Sequence, residues 1–219
     1  MGLTDLFRRK KEDPDADAGA SDAPVFPTKA LARFLASLSA QEQPILIDLG
    51  PVVGSNVTFF GEQLGCKIFV EDISKDIDRH VKEGKVEELP AFLAKRFPQA
   101  DGSVDGILCW DVFDFLDKTA AQALAQQLTR ILRPEGALLA FFSTSEPPAN
   151  AKPTYTRYVV VDQANLQHRP YAAARSRQKP LVNSYIQRMF EPLRITEQFL
   201  LKTNTREVLL RKAASASPQ

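Results

Sequence analysis

Side chains capable of chemistry are most concentrated between residues 143 and 182, where Tyr155, Arg157, Tyr158, His168, Arg169, Tyr171, Arg175, Arg177 and Lys179 interleave rings with cations. Cations attract phosphates and carboxylates, and aromatic faces stack on flat ligands, so the segment suits an anionic or aromatic small molecule, or an RNA strand. A solvated basic surface is the plainer alternative. Without a recognised RNA-binding motif, nucleic acid is the less favoured partner. A second feature is the loop Asp48-Leu49-Gly50-Pro51-Val52-Val53-Gly54, which follows an apolar run and carries two glycines. Its Gly50-x-x-x-Gly54 spacing differs from the Gly-x-Gly-x-x-Gly of nicotinamide enzymes. Cys66 and Cys109 have neither a Cys-x-x-Cys partner nor a nearby pair of histidines. That excludes a disulfide framework and the usual zinc spacings, and both read as buried free thiols.

The elements that must position these residues alternate between strand and helix patterns. Leu31, Phe34, Leu35 and Leu38 recur at helical spacing, with Thr28 as the expected N-cap behind Pro27. Ile45-Leu46-Ile47 is a short apolar run feeding the glycine-containing loop, as a strand buried on both faces does. A short helix is expected over 55–64, a strand over 67–70 ending in Glu71-Asp72, a charged helix to about 88, and a further helix over 91–97. Val104 to Cys109 reads as a clear strand. Ala120, Leu124, Leu128 and Ile131 mark an amphipathic helix, and Arg133-Pro134-Glu135-Gly136 turns into a strand over 137–142. Residues 143–182 have weak periodicity and read partly as loop. A helix around 183–190 and two alternating runs, 194–202 and 206–211, close the pattern as an antiparallel hairpin.

The chain of 219 residues has room for one domain with appendages, and its 44% hydrophobic and 25% charged residues are ordinary for a globular protein. The formal charge of +1 hides a basic C-terminal third, since residues 151–212 hold 12 basic and four acidic side chains. Residues 1–27 read as a basic-then-acidic tail. Leu3, Leu6 and Phe7 beside Arg8, Arg9, Lys10 and Lys11 are a pattern that suits a weak membrane or protein tether, with a frayed terminus the plainer reading. No apolar stretch follows the basic quartet, so no secretory signal is seen and cytoplasmic residence is expected. Leu6 also stands where a myristoylation signal has Ser or Thr. The expected domain spans 28–212, with a small polar tail over 213–219.

Alternating β and α units closed by a hairpin imply an α/β fold: a Rossmann-like, doubly wound, mostly parallel sheet with a C-terminal antiparallel hairpin, its ligand site at the carboxyl ends of the strands. Over about residues 28–212 the chain resembles class I S-adenosylmethionine-dependent methyltransferases. The resemblance rests on Asp48-Leu49-Gly50-Pro51-Val52-Val53-Gly54 beside the family's acidic-x-Gly-x-Gly-x-Gly, on Val70-Glu71-Asp72-Ile73-Ser74, on Gly102-Ser103-Val104-Asp105-Gly106-Ile107-Leu108, and on Leu132-Arg133-Pro134-Glu135-Gly136. Val52 replaces the middle glycine, where a β-branched side chain crowds the backbone approach. Gly84 is followed by Lys85 where the family has an adenine-contacting acid after its third strand; Glu87 and Glu88 stand nearby. Cys109-Trp110-Asp111-Val112-Phe113 lacks the motif of DNA amino-methyltransferases.

The resemblance implies S-adenosylmethionine as cofactor. Asp48, Gly50 and Gly54 would receive its methionine part, Glu71 or, more naturally, Asp72 its ribose hydroxyls, and Trp110 its adenine or methyl group. Trp110 reads equally well as a packing residue. Methyl transfer needs alignment and exclusion of water, and a general base where the acceptor carries a proton. Asp111 and His168 are the candidates, their plainer roles being a helix start and a surface residue. The reaction class implied is methyl transfer to a small-molecule acceptor. The alternative is a non-catalytic protein that keeps the methyltransferase fold as a binding module.

Overall fold

A computed structural model describes residues 22–214. The basic quartet, the Leu3-Leu6-Phe7 pattern and most of the acidic linker lie outside that range. Successive side chains leave a strand on opposite faces, so an unbroken apolar run is stable only when both faces are covered. The chain builds two cores accordingly. Leu46, Leu108 and Leu139 enter one, and their neighbours Ile47, Ile107 and Leu138 enter the other.

The strands β2 (Ile45–Asp48), β3 (Lys67–Val70), β4 (Val104–Trp110) and β5 (Leu132–Ser143) pair in parallel. The antiparallel hairpin β8 (Arg194–Leu200) and β9 (Thr205–Arg211) extends this sheet, giving the order β3-β2-β4-β5-β9-β8. This is the mixed, doubly wound sheet that the sequence predicts. Helix α1 (Leu31–Leu38) and the short α2 (Gly54–Thr58), which continues as a π-helical turn over Phe59–Gln63, cover one face. Helices α3 (Ile73–Lys82), α4 (Leu89–Leu93), α5 (Lys118–Ile131) and α6 (Asn183–Met189) cover the other. No strand forms between β3 and β4 among the described residues. A 3-10 turn over Val86–Glu88, α4 and loop follow α3 there, and β3 is the sheet edge.

Two expectations are corrected. Residues 143–182 are partly loop, and within them β6 (Thr154–Asp162) and β7 (Asn165–Ala172) form an antiparallel hairpin that the sequence did not show, to which β1 (Val25–Pro27) adds at β7. The folded part therefore begins before Thr28. Thr28 is not the N-cap of α1, because the helix starts at Leu31 and the Thr28 hydroxyl accepts only a long bond, 3.4 Å, from the Leu31 N–H. The capping oxygen comes from β9. Glu207, fully buried, accepts the N–H groups of Lys29 and Ala30 at 2.8 and 2.9 Å, which stabilises the helix start as a local Asp or Ser would.

One amide helps to fasten the hairpin β6–β7 over the carboxyl ends of the parallel strands. Asn56 of α2, 1% exposed, donates from Nδ2 to the Tyr158 carbonyl and accepts the Val160 N–H at Oδ1, both at 2.8 Å. The side chain thus pairs with the β6 edge as a neighbouring strand would. Asn56→Ala leaves a buried donor and a buried acceptor without partners, and about 2–4 kcal/mol of stability is expected to be lost in urea unfolding.

Candidate active site

Strand order reverses between β2 and β4, and in such sheets the crevice beyond the carboxyl ends at that point receives the ligand. Here the loop after β2 and the end of β4 face each other across it. Trp110, the last residue of β4, has a φ of 49°, a conformation that a bulky side chain adopts only where the surroundings enforce it. The enforcement is visible. The indole Nε1 donates to Asp48 Oδ1 at 2.6 Å, and the same oxygen accepts the Gly50 N–H at 2.9 Å. The ring stacks on Tyr158 of the hairpin, centroids 5.1 Å apart and 10° from parallel, and meets Phe141 edge-on.

This arrangement gives Gly50 a different reason from the one the resemblance implies. A Cβ there would lie 2.9 Å from Trp110 Cδ1 and 3.2 Å from Asp48 Oδ1, so the missing side chain makes room for the protein's own indole. At Gly54, by contrast, a Cβ would meet nothing within 4 Å. The inner slot, lined by Gly50, Ser74, Trp110, Asp111, Tyr155 and Tyr171, has a volume of only about 10 Å³, room for at most one water. Outside it lies a cleft of about 1200 Å³ between the Pro51–Ser55 loop, Asp72 and the face of α3 on one side and Arg157, Arg169 and Tyr171 on the other. Val52, 62% exposed, projects from its wall.

Of the two carboxylates after β3, Asp72 lines this cleft and Glu71 does not. Glu71 accepts an ion pair from Arg96 at 2.8 Å, which ties it to the loop behind α4. Asp72 caps α3 through its bond from the Lys75 N–H, accepts the Ser74 hydroxyl at 2.5 Å and pairs with the Lys75 ammonium at 3.3 Å. Glu87 and Glu88 are exposed in the 3-10 turn and line neither cleft nor slot.

Asp111 lines the inner slot, buried, with Arg177 donating to its carboxylate at 2.9 Å. Burial pushes its carboxyl up, and Arg177 opposes the shift. Its side chain does not cap the following 3-10 turn, so the helix-start alternative is not what its carboxylate does. Asp114 beside it accepts the Ser143 N–H and is pushed up to about 7 by burial and by the charge of Asp111. His168 is not brought to the slot or the cleft. Its ring packs between Phe26, 4.6 Å away, and Tyr158, 4.8 Å away, and burial and Arg177 lower its pKa to about 4, so it is neutral near pH 7. Cys66 and Cys109 are free and buried, with burial raising both thiols.

Sequence reasoning passed over Asn56, Ser74 and Asp78. Ser74 and Asp78 accept the hydroxyls of Tyr171 and Tyr155, at 2.9 and 2.8 Å, and so attach the hairpin to α3. An asparagine between Gly54 and the apolar Val57, Phe59 and Phe60 was the available signal for Asn56.

Residues 47–140 match the protein family described as a methyltransferase domain. The match ends before the hairpin β6–β7. Similar solved structures include the 1,6-didemethyltoxoflavin-N1-methyltransferase of Burkholderia thailandensis, solved with 1,6-didemethyltoxoflavin and S-adenosylhomocysteine bound, at 14% identity over 84% of this chain and 78% of that one, TM-score 0.47. Another is the CcbJ methyltransferase of Streptomyces caelestis, at 13% identity over 84% of this chain and 94% of that one, TM-score 0.48. A third is a SAM-dependent methyltransferase of Aquifex aeolicus, at 14% identity over 82% and 88%, TM-score 0.46. Comparison with curated proteins finds no match. The matched segment spans the strands of the crevice, from β2 into β5.

Two outcomes test this geometry. Gly50→Ala forces a Cβ against the indole and is expected to cost about 1–3 kcal/mol, with a coupling of similar size to Trp110→Ala in a double-mutant cycle read by chemical denaturation. Asp48, buried, has its pKa raised from 3.8 to about 6, with burial the main cause. The folded state therefore holds the proton more tightly, and stability falls as pH rises from about 4 to about 6. Asp48→Asn keeps an oxygen for both N–H donors and is expected to remove that part of the slope, on the order of 3 kcal/mol, in unfolding measured across pH.

Proposed function

We propose that the protein is an S-adenosylmethionine-dependent methyltransferase acting on a small-molecule acceptor. The observation that carries this reading is Asp72, a carboxylate at the carboxyl end of β3 that lines a cleft of about 1200 Å³ together with the Pro51–Ser55 loop. A carboxylate can accept both hydroxyls of a ribose at once, and the open space above Gly54 leaves the loop backbone approachable. These residues fit the nucleoside half of the cofactor. The inner slot, where the methionine part was expected near Gly50, holds the indole of Trp110 instead. Asp48 is correspondingly occupied, since its Oδ1 already accepts two donors.

The cofactor supplies a methyl group on a positively charged sulfur, an electrophile that needs alignment rather than activation. The chain's own contribution is positioning and exclusion of water. Tyr155 and Tyr171 cover the slot, held by Asp78 and Ser74. Asp111 is the candidate base, buried beside the slot with its charge offset by Arg177. His168 is left without that role in this reading because aromatic rings enclose it.

One observation favours a second reading. A slot filled by Trp110 and locked by Asp48 and Tyr158 is what a non-catalytic methyltransferase-fold protein would have, with the cleft serving binding alone. Thermal unfolding with saturating S-adenosylmethionine or S-adenosylhomocysteine separates the two. Ligand at about 100 times its dissociation constant adds about 2.7 kcal/mol, so a rise on the order of 5 to 10 °C is expected, abolished by Asp72→Ala. An unchanged affinity in Asp72→Ala removes the assignment of that residue. No shift with either ligand, repeated by calorimetry, replaces the enzyme reading with the second one.

A further inference from the structure

The hairpin wall of the cleft carries an electrostatic imbalance that nothing else in the fold resolves. Arg157 of β6 and Arg169 of β7 are direct register partners, so their side chains leave the hairpin on the same face. That face also carries the pair Tyr155 and Tyr171, while Tyr158 and His168 point the other way, toward Trp110 and Phe26. Like charges directly opposite one another in an antiparallel pair destabilise it. A carboxylate between them would remove the penalty, but among the described residues neither arginine has an ion pair. The acids in the cleft are engaged elsewhere: Asp72 with Lys75 and Ser74, Asp78 with Tyr155 and the Ala174 N–H, and Glu83 with Lys85.

The arginines are oriented rather than free. The Arg157 guanidinium lies over the Tyr171 ring at 5.3 Å, and Arg169 Nε donates to Gln167 Oε1 at 2.8 Å. Arg157 Nε is shut off from solvent and has no acceptor among the described residues. Across the cleft, Lys82 has no carboxylate partner among the described residues, whereas Arg79 is paired with Asp76. Two oriented forks, one buried N–H lacking an acceptor and an aromatic platform are the parts of a receptor for a compact anion.

We propose that this wall binds a small-molecule anion through a phosphate or carboxylate group held between Arg157 and Arg169, with Lys82 adding charge from the opposite side. On the methyltransferase reading above, that anion is the methyl acceptor or part of it. The two arginines are half-buried inside a cleft instead of strung along an exposed face, and Arg177 of the same basic segment is committed to Asp111, which favours a small ligand over a nucleic-acid strand. The hairpin lies outside the segment, residues 47–140, that matches the methyltransferase domain.

Calorimetric titration of the full chain at low ionic strength with inorganic pyrophosphate and, separately, with citrate tests the proposal. At least one is expected to bind, and Arg157→Gln with Arg169→Gln is expected to weaken that binding at least ten-fold. Arg169→Gln alone keeps the Arg157 stack on Tyr171 and serves if the double variant does not fold; several-fold weakening is expected, with a melting temperature raised by the relieved repulsion. Pyrophosphate against citrate separates phosphate from carboxylate recognition. Absence of binding by both probes, or equal binding by wild type and variants, overturns the proposal whatever S-adenosylhomocysteine does. An arginine-dependent anion site without S-adenosylhomocysteine binding leaves this site standing and removes the methyltransferase reading. Tighter arginine-dependent binding of a 12-nucleotide oligouridylate than of either small anion overturns the small-ligand proposal in favour of RNA.

Discussion

A single carboxylate oxygen, Asp48 Oδ1, decides the geometry of the crevice. It receives the Gly50 N–H and the Trp110 indole N–H together, and so joins the end of β2, the turn after it and the end of β4. Both bonds run to a buried carboxylate and lower the cost of its charge in part, with burial still the larger effect, and the indole bond holds Trp110 in its left-handed backbone conformation. Once the indole is fixed, Gly50 must lack a side chain, Tyr158 must lie parallel to the ring, and the hairpin must sit where Tyr158 leads it. Asn56 then completes the fastening from α2.

The hairpin divides its two faces between different tasks. One turns Tyr158, Val160 and Leu166 into the core beneath α1 and α2. The other turns Tyr155 and Tyr171 to α3 and leaves Arg157 and Arg169 in the cleft wall. Packing therefore restrains one side of the element, and the polar groups of the other are held at fixed spacing by the same ladder. Precision at a site commonly comes from mounting its side chains on a regular element instead of a loop.

Much of the sheet was legible because its strands announce themselves as apolar runs. Ile45-Leu46-Ile47 and Val104 to Cys109 are buried on both faces, and the two C-terminal runs pair as a hairpin. Asp72 was legible from its place after β3. The hairpin β6–β7 was not, because both of its faces are covered by protein or line a cleft, which erases the alternation of apolar and polar residues that marks a half-exposed strand. Pro153 and Pro170 strengthened the impression of a loop. The orientation of Trp110 depends on a positive φ that no residue type signals, so the packing role and the ligand-facing role could not be separated from sequence. Glu207 sits in an alternating run where a charged residue is expected to face water, and only the long-range partner at the start of α1 explains its burial.

That partner lies far away along the chain. The bonds from Lys29 and Ala30 to Glu207 span 178 and 177 residues, and β1 pairs with β7, so the first elements of the domain are completed by nearly the last. Contacts of such separation carry a large loop-closure cost before they contribute anything, and they slow folding. During synthesis α1 therefore leaves the ribosome with its apolar face of Leu31, Phe34, Leu35 and Leu38 prepared but its N-terminal N–H groups without the buried acceptor that β9 brings. The domain closes only after β9 has been synthesised, and loss of β9 would be felt at the start of α1, at the opposite end of the domain.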